Sequence, residues 1–161
     1  MVLSMGLVLG VIGLIMVLTV RTQPDPVREV NITQALVTAR TEAEFEPLVP
    51  GLADLRATSA RWQVTPASEA ARVWHVGYVT PDEEYLQVTQ ALIDDPDYIA
   101  EQTLDGVPGE VVDVDGTAWQ IYQSPGRVSV VSTTDGVTTI VGGSSTVEAV
   151  LTAAGSLTEA Q

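Results

Sequence analysis

The chain has 161 residues, of which 21 are Asp or Glu and seven are Arg, with no Lys and a formal net charge of −14 at pH 7. This charge argues against nucleic acid as a partner, because phosphate binding needs clustered positive charge. The absence of Cys excludes disulfides and Cys-linked lipids. The acidity either keeps the protein away from anionic headgroups and suits it to a basic protein surface, or serves solubility alone.

The first predicted element is a transmembrane helix over residues 1–20. This run has no charged side chain, and Ser4 and Thr19 are its only polar residues. Twenty residues at about 1.5 Å each cover the roughly 30 Å hydrocarbon core of a bilayer. A cleaved signal peptide is the alternative, but it would have a basic segment and a small-residue cleavage site, which this run lacks. We therefore expect an uncleaved anchor.

One face of the predicted anchor consists of Gly6, Gly10, Gly13 and Val17. On a helix the three glycines lie within about 60° of one another. Glycines four residues apart allow close backbone approach between membrane helices, so this face predicts packing against the helices of an integral membrane protein. A homodimer is disfavoured, because two acidic domains would repel each other above the membrane. The competing explanation is that glycine is simply common in membrane helices.

Residues 21–30 predict a stiff, extended spacer, because they contain Pro24 and Pro26. Arg21 and Arg28 follow the apolar run, and the positive-inside rule taken alone would place the following domain in the cytoplasm. Residues 31–161 are enough for one compact domain with its own core.

The first half of the domain predicts short helices and three strands. Helices are expected near Thr33–Arg40 and at Pro96–Gln102, where Asp95 can serve as the N-cap and proline suits the first helical position. The strands are expected in "ATSARWQV" (57–64), "ARVWHVGYV" (71–79) and "YLQVTQAL" (85–92).

The middle strand shows the alternation expected of a sheet with one buried face. Trp74, Val76 and Tyr78 alternate with His75 and Gly77. Since successive side chains of a strand point to opposite faces, the aromatic side is expected to face the core.

The C-terminal half predicts a four-strand antiparallel meander followed by a helix. Two Asp-Gly pairs, at 115–116 and 135–136, separate β-rich runs and indicate tight hairpins. Helical spacing from Val147 to Leu157 follows, with Ser145 and Glu148 as a capping box. The four strands are expected at Val111–Val114, Thr117–Gln123, Arg127–Thr133 and Val137–Val141.

These elements predict an α+β fold. It consists of one N-terminal transmembrane helix plus a mostly antiparallel sheet of about six to seven strands, packed by a C-terminal helix.

The side chains that could carry chemistry are few. His75 is the only histidine, and without Cys a zinc site would need carboxylates that zinc rarely accepts, so a strand histidine satisfied by its neighbours is favoured. The acidic groups at 82–84 and 94–97 lack the spacing of an EF-hand. "GGSS" at 142–145 has no nearby general base in sequence. We therefore expect no catalytic residue, no metal, no cofactor and no enzyme activity.

The segments "VREVNITQAL", "SARW", "VWHVGYVTPDEEYLQV" and "VDGTAWQIY" resemble an uncharacterised actinobacterial family of single-pass membrane proteins, known as a domain of unknown function. The most specific element is W-H-x-G-Y/F-x-T-P-D at 74–82. The resemblance implies an N-terminal anchor and an extracytoplasmic domain, which we prefer to the orientation given by two arginines. Members usually carry a basic segment before the anchor, whereas this sequence starts at "MVLSMG".

Two functions are consistent with this sequence. The first is a non-catalytic accessory subunit of a larger membrane protein complex. The actinobacterial respiratory supercomplex of cytochrome bc complex and oxidase is suggested as the host by analogy, because it is an envelope complex that could hold small anchored subunits. The alternative is a free-standing envelope domain that senses or binds a ligand.

Overall fold

The computed structural model describes residues 30–65 and 68–159. The predicted anchor over 1–20, with Gly6, Gly10, Gly13 and Val17, lies outside these residues, as does nearly all of the spacer. Among the residues described, none of the helices is long and apolar enough to cross a membrane.

The domain is built on a seven-stranded sheet in which every neighbouring pair is antiparallel. The strands are β1 (Leu48–Pro50), β2 (Arg56–Thr65), β3 (Ser68–Val79), β4 (Tyr85–Ala91), β5 (Val107–Val114), β6 (Thr117–Ser124), β7 (Arg127–Thr134), β8 (Val137–Gly143) and β9 (Leu157–Glu159). The spatial order of the sheet is β2-β3-β4-β8-β7-β6-β5, and β1 and β9 form a separate two-stranded ribbon. The predicted α+β class and strand number are confirmed.

The C-terminal meander is confirmed, with β5, β6, β7 and β8 paired in succession. Its Asp-Gly turns have positive φ at both residues, 52° and 85° at Asp115 and Gly116 and 52° and 80° at Asp135 and Gly136. Such turns match the twist of the strands that they join. Strand β5 begins four residues earlier than predicted, and an irregularity in its pairing with β6 falls between Pro108 and Val111. Bulges and proline are common on edge strands such as this one.

The three helices of the described residues are α1 (Thr33–Glu42), α2 (Pro96–Thr103) and α3 (Val147–Gly155). The predicted start of α2 is confirmed, because the Asp97 N–H donates to Asp95 Oδ1 at 2.8 Å and Pro96 occupies the first helical position.

The predicted start and end of α3 are wrong by small amounts. The N-cap is Thr146 rather than Ser145, and Thr146 Oγ1 accepts the hydrogen bond of the Ala149 N–H at 3.3 Å. A cap bonds the backbone two or three residues onward, so a start one residue later selects the next hydroxyl. Leu157 leaves the helix and pairs with Pro50 in the β1–β9 ribbon.

The core lies between the sheet and the helices α1 and α3. As predicted, Trp74, Val76 and Tyr78 of β3 are buried on this core face, with exposures of 0%, 0% and 6%. Burial of this large apolar surface is the main contribution to the stability of the domain. The other buried members of this core are Leu36, Ala39, Leu86, Val88, Trp119, Ile121, Val130, Val141, Val150, Ala153 and Ala154.

The opposite face of the sheet is only partly apolar. A second small cluster lies there around Tyr98 of α2, packed with Val73, Ala91, Val131 and Ile140. Helix α2 contacts β6 and β7, whereas the side chains of β2, β3 and β4 that share this face with His75 are mostly polar. Within the described residues, the part of this face around His75 is therefore not covered by a helix.

Candidate functional site

A line of small and polar residues crosses the partly covered face of the sheet, and we call it the polar row. Antiparallel partners project to the same face, and the observed register aligns one residue from each of five neighbouring strands. The polar row consists of Ser59, Gly77, Gln87, Gly142 and Ser129.

The two glycines of the polar row make room for larger side chains. A Cβ at Gly77 would lie 2.6 Å from Ser59 Oγ and 2.7 Å from the Tyr85 hydroxyl, and one at Gly142 would lie 2.5 Å from Arg127 Nη2. Tyr85 and Arg127 therefore lie against the sheet over the glycines of β3 and β8, which flank β4. Glycine in a strand interior commonly marks such a close approach.

Hydrogen bonds hold these two side chains in place. The Tyr85 hydroxyl donates to Gln87 Oε1 at 3.3 Å, and Arg127 Nε donates to Ser129 Oγ at 3.3 Å. Gln87 and Ser129 are buried, at 8% and 1% exposure. Gln87 and Ser129 of the polar row thus hold the Tyr85 and Arg127 side chains in position.

His75 lies on the row of residues beside this one, between Arg61 of β2 and Thr89 of β4. Its Nε2 is 3.5 Å from Ser59 Oγ and its Nδ1 is 3.5 Å from Thr89 Oγ1, so its neighbours satisfy it only at the long limit of hydrogen bonding. Burial, and then the charges of Arg61 and Arg127, lower the pKa of His75 to about 4. The imidazole is therefore neutral at pH 7.

Arg127 is a partly buried cation. Burial lowers its pKa, and the nearby Tyr85 opposes this effect. Its Nη2 atom, which lies over Gly142 of β8, is buried and has no hydrogen-bond partner among the described residues. Arg127 and Arg61 have no carboxylate ion pair within the described part of the chain, although Arg40 and Arg72 each have one there.

The second feature is a cavity of about 780 Å³ at one end of the core face, which we call the end cleft. It lies beside the β1–β9 ribbon and the C-terminal end of α3. Gln90 is fixed on its sheet side, because its Oε1 accepts from the Leu48 N–H at 2.6 Å and its Nε2 donates to Thr139 Oγ1 at 3.4 Å. Trp119 and Ser132 line it as well and are buried.

Carboxylates dominate the mouth of the end cleft. Five acidic side chains line it and all five residues are exposed, whereas no Arg is among the lining residues. Such a site favours a cationic ligand over an anionic one. The five are Glu44, Glu46, Asp115, Asp135 and Glu159.

The family model described as "Protein of unknown function (DUF4245)" matches residues 1–157. The chain belongs to this family. No curated protein and no solved structure matches the chain. The family match includes the predicted anchor and spacer, and it agrees with the resemblance to an uncharacterised family.

Glu84 and Ser144, which belong to the acidic and the serine segments of the sequence, have structural roles. Glu84 of "PDEE" accepts a hydrogen bond from Ser144 Oγ of "GGSS", and Ser144 Oγ accepts from the Tyr85 N–H at 2.9 Å. These bonds join the start of β4 to the end of β8. In the described ranges 30–65 and 68–159, no three or more His, Asp or Glu residues are arranged to hold a metal ion.

Neither the polar row nor the end cleft was predicted from the sequence. One signal was available, because Gly77 interrupts a strand of large side chains, and an interior glycine indicates close contact. Gly142 gave no such signal, since β8 was predicted to end at Val141 and in fact continues to Gly143. The membrane-packing residues of the predicted anchor lie outside the described residues, so their role stays a prediction.

Proposed function

We propose that this chain is a non-catalytic binding subunit, carried on an N-terminal membrane anchor, whose end cleft receives a cationic group. The observation that carries this proposal is a cleft of about 780 Å³ with carboxylates at its mouth. This volume is within the roughly 300–1,000 Å³ of typical small-molecule sites. The extracytoplasmic location of the domain is part of the proposal and rests on the family resemblance.

The lining of the end cleft suits binding more than chemistry. Its buried polar side chains are an amide and hydroxyls, and the only histidine, His75, lies on the opposite face of the sheet. Gln90 is held by two hydrogen bonds, which gives the cleft a fixed polar wall. A ligand would therefore be recognised by shape and charge.

The proposal is tested with spermidine as a cationic probe and the full chain in detergent micelles. Replacing Asp115 and Asp135 together by Asn removes two charges from the cleft while keeping Asn-Gly turns, which tolerate the same positive φ. We expect calorimetric titration to show binding that weakens about three- to tenfold in this double variant, since exposed charges each contribute modestly.

Asp105→Asn is the matched control, because Asp105 is exposed and has the same φ of 52° but does not line the end cleft. It should bind spermidine as the unaltered chain does. Absence of spermidine binding, or equal weakening in the control and the double variant, would exclude the cleft as a cation site.

A second candidate function is an accessory subunit of a larger membrane complex, with the cytochrome bc–oxidase supercomplex as one possible host. The observation that favours it is the glycine face at Gly6, Gly10 and Gly13. This face would contact helices of a different membrane protein.

We expect Gly10→Leu to leave membrane insertion intact and to reduce severalfold the yield of partner proteins that co-purify in mild detergent. The leucine side chain would prevent the closest backbone approach. Val8→Leu, in the same apolar run, is the control for added bulk and should keep the partners. Unchanged partner yield in Gly10→Leu would show that the glycine face does not hold the assembly together.

A further inference from the structure

Two cations without acidic partners are unexpected in a protein this acidic. The chain has three times as many carboxylate side chains as arginines, 21 against seven. Arg61 and Arg127 nevertheless lack a carboxylate ion pair within the residues that the structure describes, and the positive charge of each contributes to lowering the pKa of His75. Positive charge is thus concentrated on one part of the sheet face.

Hydrogen-bond donors converge beside these cations. Ser59 Oγ and the Tyr85 hydroxyl lie within 2.6 and 2.7 Å of the point where a Cβ of Gly77 would be, so they meet above the same backbone position. The His75 Nε2 atom is 3.5 Å from Ser59 Oγ. Because the Tyr85 hydroxyl donates its proton to Gln87 Oε1, the Ser59 hydroxyl and the neutral His75 imidazole are the groups here that can donate to an anionic oxygen.

One donor atom of Arg127 is left unsatisfied by the residues around it. Among the residues that the structure describes, its buried Nη2 atom has no hydrogen-bond partner, while its Nε donates to Ser129 Oγ. Leaving a buried charged donor unpaired is costly, so the group needs an explanation, and a bound anion would provide one. Arg61 on the edge strand is exposed, so the site opens to solvent on that side.

We propose that the polar row, with Arg61, Arg127, Tyr85 and His75, is a binding site for a phosphate group. The two guanidinium groups match the charge of a phosphate dianion, and arginine suits its geometry. The spacer reaches the domain next to this site, because the Val30 N–H donates to the Ala57 carbonyl at 2.8 Å, two residues before Ser59. The phosphate therefore belongs either to a soluble compound or to a lipid headgroup.

The only histidine of the chain provides a single-residue reporter for this site. The full chain in maltoside micelles, which contain no phosphate, is titrated with inorganic phosphate at pH 7 and constant ionic strength. We expect the NMR signal of the His75 imidazole to shift and saturate. Arg61→Gln should weaken binding about tenfold or more, the loss that accompanies removal of a charged hydrogen-bond donor.

Two further variants make the assignment specific. Gly142→Ala places a methyl group where Arg127 Nη2 lies and should also weaken phosphate binding. Arg40→Gln is the control, because Arg40 is exposed and paired with Glu46, and it should bind as the unaltered chain does. Equal affinity in Arg61→Gln and the unaltered chain would overturn the proposal.

The source of the phosphate is distinguished with nanodiscs that contain phosphatidylglycerol. A saturable shift with inorganic phosphate supports a soluble ligand. A shift only in these nanodiscs, lost in Arg61→Gln, supports the same site with a lipid headgroup as its ligand. If the His75 signal does not shift under either condition, the phosphate site is refuted. The proposed binding of a cationic group in the end cleft would not be affected by that result.

Discussion

Replacing Trp74 by Ala should lower the free energy of unfolding by about 3–5 kcal/mol, the usual cost of removing a fully buried tryptophan side chain. Trp74 is completely buried in the main core, and its Nε1–H donates to the Leu48 carbonyl at 2.9 Å. The change would leave a cavity and an unpaired carbonyl in β1. Urea denaturation of the full chain in micelles, followed by circular dichroism, measures the loss.

Trp62→Ala is the matched control for Trp74→Ala. Trp62 is opposite Trp74 on the edge strand, but it is only partly buried, and its Nε1–H donates to the exposed Glu42 at 2.8 Å. Its T-shaped contact with Phe45, with ring centroids 6.0 Å apart, accounts for part of an expected loss of about 1–2 kcal/mol. An equal or larger loss at Trp62 would contradict the central position of Trp74 in the core.

Acidification should destabilise the domain in part through His75. The pKa of this side chain is lowered from 6.5 to about 4 in the folded protein by burial and then by Arg61 and Arg127. The unfolded chain therefore binds more protons between these values, and stability falls as the pH decreases from about 6.5 to about 4. We expect this contribution to be about 2 kcal/mol, because partial solvent contact reduces the full linkage value.

His75→Gln isolates this contribution. Glutamine does not titrate and can still hydrogen-bond the Ser59 and Thr89 hydroxyls, whereas the carboxylates of the chain titrate in both proteins. The difference in free energy of unfolding between the two proteins should thus vary by about 2 kcal/mol between pH 7 and pH 4. A difference that is independent of pH would contradict the depressed pKa of His75.

Local sequence determined the secondary structure of most of the domain. The two Asp-Gly turns, the proline start of α2 and the alternation around Trp74 are features of adjacent residues, whose backbone preferences act wherever the chain is placed. These predictions were confirmed. The seven strands of the main sheet were also predicted, whereas β1 and β9 were not. The ends of β5 and β8 were missed as well, because pairing with a neighbouring strand rather than local preference sets where a strand stops.

The two candidate sites were decided by tertiary structure alone. Gln87 lies between Gly77 and Gly142 because β4 pairs with both β3 and β8, and the second pairing joins residues 55 positions apart (142 − 87). The ribbon that borders the end cleft likewise joins β1 to β9 across the length of the domain. Burial of side chains selects such distant pairings and their register, and a shift of one residue would turn the polar row to the core. Patterns of adjacent residues do not specify which distant strands pair. The sequence by itself therefore determined the helices and most of the strands, whereas tertiary packing determined the polar row and the end cleft.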